Sequence, residues 1–143
     1  MKKLAIPILL LLFIAVACND DDSMPKSQVK VNDIVFDNGD DFFGDIDGDF
    51  MSEGGSITRI FNWESSKPTA DYNADITSSA DGMFKIEVFD ADEKLILNKS
   101  LSGAAEPDSF SGVTSKGTPG LWTVRITLHT FMGDGSFSMS EGD

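Results

Sequence analysis

Cysteine and histidine are almost missing from this chain. Each occurs once in 143 residues, as Cys18 and His129. A single thiol excludes an internal disulfide, and with one histidine beside it no soft-metal site of the four-ligand kind can be built. Basic residues are also scarce, with 11 Lys and Arg against 24 Asp and Glu and a formal charge of −13. Nucleic acid is excluded as a partner on that ground, since its phosphates demand lysine and arginine. Adsorption to anionic lipid through the folded part is disfavoured for the same reason. Long apolar runs are absent past residue 17, and no window carries an amphipathic helical period with caps.

The one long apolar run lies at the start. Lys2 and Lys3 precede Leu4 to Val16, which is broken only by Pro7, and Ala15-Val16-Ala17 places small residues before Cys18. A positive start, a short apolar centre and a small-residue site describe a secretory signal peptide. A bilayer span needs about 20 apolar residues, so a retained transmembrane helix is not expected.

Ala15-Val16-Ala17-Cys18 resembles the lipobox of bacterial lipoproteins. The resemblance implies a thioether-linked diacylglycerol on Cys18, cleavage before it and acylation of its amine. Several acyl chains, at about 0.8 kcal/mol per buried CH₂, anchor a protein stably. Asn19-Asp20-Asp21-Asp22-Ser23 is similar to the acidic export tag of Bacteroidota lipoproteins, which implies an outer-membrane location facing the cell exterior. A solvated acidic linker is the plainer account of the same residues. Lipidation at Cys18 would also consume the only thiol.

Removing residues 1–17 from 143 leaves 126, and losing Lys2 and Lys3 moves the formal charge from −13 to −15. That length suits one domain able to bury about two-thirds of its unfolded surface. Residues 18–28 are polar around Pro25 and read as a flexible tether, with the domain expected over 29–143.

Within that domain the pattern has period two. Val29 and Val31, then Ile34 to Phe36, suggest one or two strands around a bend at Asn32-Asp33. Residues 37–50 hold six aspartates among fourteen, and Phe42, Ile46 and Phe50 alternate with Asp45, Asp47 and Asp49. Glu53-Gly54-Gly55 is predicted to turn the chain into a strand over Ile57 to Trp63. Ala70 to Thr77 and Met83 to Phe89 are predicted to form a hairpin around Ala80-Asp81-Gly82, with Tyr72, Ala74, Ile76, Phe84, Ile86 and Val88 inward. Leu95 to Leu101, Ser109 to Val113 and Leu121 to Thr130 follow, and Gly133-Asp134-Gly135 is predicted to turn into a last strand with Phe137 and Met139 inward. Seven or eight short strands predict an all-β, antiparallel two-sheet β-sandwich, Ig-like or jelly-roll-like.

Gly117-Thr118-Pro119-Gly120-Leu121-Trp122-Thr123-Val124-Arg125-Ile126, followed by Gly133 to Phe137, resembles the closing hairpin of bacterial pre-peptidase C-terminal and proprotein-convertase P-type sandwich modules. The resemblance covers about two dozen residues and implies an accessory, non-catalytic module.

Candidates for chemistry are few. Asp45, Asp47 and Asp49, with Glu53, offer hard oxygen ligands for Ca²⁺, although counting from Asp45 puts Phe50 and Ser56 where an EF-hand loop needs glycine and glutamate. A solvated acidic face that deters edge pairing explains the same pattern. Asp90 and Asp92 read as a turn. Trp63, beside Glu64 and a polar loop, is the candidate for stacking on a sugar, whereas Tyr72 and Trp122 fall on apolar faces. His129 falls on the outward face of its strand, and serines occur without a Gly-x-Ser-x-Gly elbow. No coherent nucleophile, base and orienting group is visible, so a hydrolase is the weakest alternative. The expectation is a lipid-anchored surface module with a binding or structural role, its partner a glycan or another surface protein.

Overall fold

The computed structural model describes residues 26–143. Cys18, the lipobox and the acidic segment after it lie outside the described residues. What is described is all-β, with nine strands and no helix. The strands are β1 (Ser27–Val31), β2 (Ile34–Val35), β3 (Asp41–Phe42), β4 (Ile46–Ser65), β5 (Ala70–Ser78), β6 (Met83–Phe89), β7 (Leu95–Ser102), β8 (Ser109–Val113) and β9 (Gly120–Glu141). Every pairing is antiparallel except that of β3 with β4.

Two long strands organise the sheet. β4 and β9 pair with one another from Ile46↔Met139 to Ser65↔Gly120, a register interrupted near Gly55. Their first pairing block, Ile46–Glu53 with Met132–Met139, is flanked by β1 and β2 on one side and by β5 and β8 on the other. Their second block, Ile57–Ser65 with Gly120–Leu128, is flanked by β3 on one side and by β6 and β7 on the other. The two blocks form two layers that share both strands.

The layers pack face to face through aromatic rings. Phe50 of the first stacks on Phe84 of the second, with centroids 4.5 Å apart and planes 2° from parallel. Phe137 reaches Phe61 and Phe84 at 6.4 and 6.3 Å. Each fully buried ring of this kind stabilises the fold by about 1.5–3 kcal/mol through the area it removes from water. The sandwich-like all-β architecture thus matches the sequence expectation, with one strand more than the upper figure.

The corner between the layers explains two departures. Glu53-Gly54-Gly55 and Gly133-Asp134-Gly135 were expected to reverse the chain, but both lie inside continuous strands. At β4 the register shifts twice between Glu53 and Ile57, and Gly54 takes φ +96°, which glycine adopts without a Cβ clash. The displaced backbone is held by serines: Gly55 N–H donates to Ser52 Oγ at 3.1 Å, and Thr130 N–H donates to Ser56 Oγ at 2.9 Å. Bulges of this sort bend a strand without ending it.

Pairing also corrects the predicted hairpin. β5 and β6 face inward as expected, with Tyr72, Ala74, Ile76, Phe84, Ile86 and Val88 all buried, but they do not pair with each other. β5 joins the C-terminal half of β9 and β6 joins its N-terminal half. The intervening residues therefore cross from one layer to the other. β1 begins at Ser27, ahead of Val29, because Ser27 and Gln28 already pair with Ser52 and Met51. Asn32 and Asp33 both have positive φ, 52° and 65°, and close a two-residue hairpin between Val31 and Ile34, as a type I′ turn requires.

Candidate functional site

The outer face of the first layer carries the polar side chains that the sequence singled out, together with others that it did not. Asp47 and Asp49 project outward from β4, while Ile46, Gly48 and Phe50 point to the core. Asp49 is opposite Lys30 of β1 on one side and Ser136 of β9 on the other, and Ser136 is opposite Asp75 of β5, which faces Ser109 of β8. The neighbouring row runs Asp47, Ser138, Asn73 and Ser111. Carboxylates on β4 and β5 therefore flank a ladder of hydroxyls on β9.

Ser136 Oγ donates to Asp75 Oδ1 at 3.2 Å, so the row is hydrogen-bonded across strands. Two clefts open on the β1 side. One, of about 290 Å³, is lined by Gln28, Lys30, Asp49, Met51 and Asp134, and the other, of about 390 Å³, by Asn32, Asp33, Asp47, Asp49 and Ser136. Asp49 lines both. The Asn32 side chain fixes their lower wall, accepting from Asp47 N–H at 2.8 Å and donating to the Asp45 carbonyl at 3.3 Å.

The proposed calcium ligands are not brought together. Along an extended strand, same-face residues repeat about every 6.6 Å, so Asp45 to Glu53 covers about 26 Å. Ligands around one Ca²⁺ lie 2.3–2.6 Å from the ion, and a straight strand cannot wrap a sphere of that size. Among the described residues, no group of three or more His, Cys, Asp or Glu side chains converges to hold a metal.

Trp63 is corrected outright. It is completely buried, in edge contact with Trp122 at 5.6 Å and 81°, and its Nε1 donates to the Gly44 carbonyl at 2.7 Å. No ring face is left for a sugar. Trp122 and Tyr72 are core residues, as their alternation predicted. His129 is exposed at the end of its pairing with β6, opposite Met83.

Asp90 and Asp92 do form a turn, and Asp90 is its centre. Its carboxylate accepts from Thr118 N–H at 2.9 Å through Oδ2, and from Lys94 and Asp92 N–H at 2.8 and 3.0 Å through Oδ1. The Thr118 N–H foremost, with the Lys94 and Asp92 N–H groups, holds the Asp90 carboxyl below its ordinary range against the opposing effect of burial. The Thr118 carbonyl in turn accepts from Trp122 Nε1 at 2.8 Å. Glu141 plays a similar part for the loop after β4, accepting from Ser66 N–H at 2.5 Å and Ser66 Oγ at 3.0 Å. Those two donors, the N–H first, lower its carboxyl as well.

Alternation places Asn73 and Asp75 outward from β5 and Ser136 and Ser138 outward from β9, and only the β5–β9 pairing shows that these two sets adjoin. Ser136, Ser138 and Ser140 alternate with Phe137 and Met139, and that alternation was the available signal. Comparison of the chain with protein families, with curated proteins and with solved structures yields no match.

Proposed function

We propose that the chain is a lipid-anchored module of the outer cell surface, held through Cys18, with a non-catalytic binding role. Its binding surface is the outer face of the first layer and its ligand a glycan. The observation that carries this reading is the paired rows Lys30–Asp49–Ser136–Asp75 and Asp47–Ser138–Asn73–Ser111. Carboxylates accept, amides and hydroxyls both donate and accept, and strand spacing sets them about 4.8 Å apart in one direction and about 6.6 Å in the other. Such a grid suits a polyhydroxylated chain lying on the sheet, and its acidity disfavours phosphate-bearing ligands.

The lipobox resemblance at Cys18 supports the anchor. Glycan-array binding of the native protein, compared with Asp49→Ala/Asp75→Ala, tests the surface. Binding lost in the double variant is the expected result. No binding to any glycan, or equal binding by both proteins, removes the glycan reading.

A further inference from the structure

We infer that β8 is a docking edge, and that its occupant is an extended segment of a partner protein in which cationic and apolar side chains alternate. Neither the anchor nor the glycan reading is needed for it.

Among the described residues the sheet ends in four edges, at β2, β8, β3 and β7. An open edge offers unpaired N–H and C=O groups to any extended chain, and proteins ordinarily blunt it with a very short strand, a lysine, an inward-pointing charge or a bulge. Three of the edges carry such devices. β2 and β3 are two residues long, and Lys26 and Lys30 flank the part of β1 that β2 leaves unpaired. β7 has a register shift at Leu95, and its Lys99 is exposed although it has the parity of the buried Leu97 and Leu101. The Ile96 carbonyl on the same strand is further occupied by Ser115 N–H at 3.1 Å.

β8 has none of these. Its residues, Ser109-Phe110-Ser111-Gly112-Val113, include no charge and no proline, and among the described residues it pairs with β5 alone. Ile76 N–H donates to the Asp108 carbonyl and Thr114 N–H to the Ala70 carbonyl, both at 2.9 Å, so the residues of even number turn their backbone polar groups toward β5. Alternation then turns the N–H and C=O groups of Ser109, Ser111 and Val113 away from the sheet. All three residues are exposed, Val113 at 58%. A strand laid along them completes a ladder.

Charge selects the occupant. Asp75 and Asp71 of β5 are opposite Ser109 and Val113 on the outer face, and Glu106 and Asp108 precede the strand, against the single cation Lys116 after it. A strand added to β8 runs about 4.8 Å from it and about 9.6 Å from β5. Ser109 and Ser111 are small, so a lysine or arginine stem on the added strand lies across them and brings its charge toward Asp75. The alternate side chains of that strand turn inward beside Phe110, which is half-buried against Tyr72 at 5.8 Å and Phe84 at 6.4 Å. Apolar residues fit there. A second copy presenting its own β8 brings no cation on the strand, and a chain of formal charge −13 repels its own kind. Strand addition draws affinity from main-chain hydrogen bonds and specificity from the alternating side chains, so an extended cationic and apolar segment satisfies both.

The probe is a fluorescein-labelled peptide in which lysine and valine alternate, titrated with the native protein and followed by anisotropy. Saturable binding is expected, with slowed hydrogen exchange at the amides of Ser109, Ser111 and Val113. Ser111→Pro removes an N–H that points away from β5, which an edge strand tolerates, and should weaken binding by at least about tenfold. Val113→Lys, at an exposed position, should do the same through charge alone, and it keeps the test should the proline variant not fold. The peptide N-methylated on alternate residues, or carrying glutamate for lysine, should not bind. No binding of the lysine–valine peptide to the native protein, equal binding by Val113→Lys, or equal binding of the N-methylated peptide overturns the docking edge. A native protein that sediments as a dimer, and as a monomer once Val113→Lys is introduced, assigns the edge to a second copy and overturns the cationic occupant.

Discussion

The ring of Phe137 fills the space where its cross-strand partner Gly48 would carry a Cβ. The reverse arrangement occurs two pairs along, with Phe50 over Gly135. Each glycine lets a large ring from the adjacent strand lie down between layers, which brings Phe50 and Phe137 within 6.3 Å of each other. Gly48→Ala and Gly135→Ala should each destabilise the domain by about 1–3 kcal/mol, the usual cost of overpacking. Urea unfolding measures this. Asp49→Ala, on the solvent side of the same strand, should stay within about 0.5 kcal/mol of wild type.

Trp63 makes its prediction through stability rather than ligand binding. Trp63→Ala should cost about 3–5 kcal/mol, a large share of the 5–15 kcal/mol that holds a typical domain. Trp63→Phe keeps most of the apolar volume but leaves the Gly44 carbonyl without its indole donor, a loss of about 1 kcal/mol. A thermal midpoint unchanged in both variants would contradict the burial described above.

Acid should unfold the protein partly through Asp90. Its carboxyl is held below the ordinary value of 3.8, so the fold favours the ionised form. The contribution is complete above that value and lost as pH falls through the lower, folded one. Glu141, lowered from 4.5, acts in the same sense. The thermal midpoint of wild type should therefore begin to drop as pH falls below about 4.5, and Asp90→Asn should flatten the lower part of that slope. An identical slope in the variant would remove Asp90 as a source of the pH dependence.

Calcium offers a direct check on the spacing of the aspartates. A site saturated to 100 times its dissociation constant would add about 2.7 kcal/mol of stability, a shift of several degrees. With Asp45 ahead of β4 and Asp47, Asp49 and Glu53 spread along it, the midpoints in chelator and in millimolar Ca²⁺ should coincide. A rise with Ca²⁺ would show that side chains rearrange to meet the ion.

Faces were legible in the sequence and pairings were not. Alternation alone put Phe42, Ile46 and Phe50 inward and Asp45, Asp47 and Asp49 outward, because side-chain direction in a strand depends only on parity. Parity also bears on Trp63: it shares a face with Phe61 and Ser65, both buried, and the polar neighbour Glu64 was the misleading sign. Parity fails where a bulge intervenes. Alternation alone puts Leu95 on the face of Leu97, yet Leu95 is 44% exposed while Ile96 and Leu97 are both buried, at the register shift beside Phe89. Partner choice is a property of distant segments. Gly54 and Gly133 look like turn glycines locally, and only the long β4–β9 ladder makes them points of bending instead.

Sharing β4 and β9 between the layers has a consequence for how the molecule comes into being. The two strands are separated by some 55 residues of chain between Ser65 and Gly120, and neither layer can close until the second arrives. Contacts this remote in sequence place folding in the slow, millisecond-to-second regime of all-β domains. A nascent chain still lacking β9 has no half that can lock, since β4, β5 and β6 all pair with that strand. Completion of the last strand then acts as the latch that commits both sheets at once.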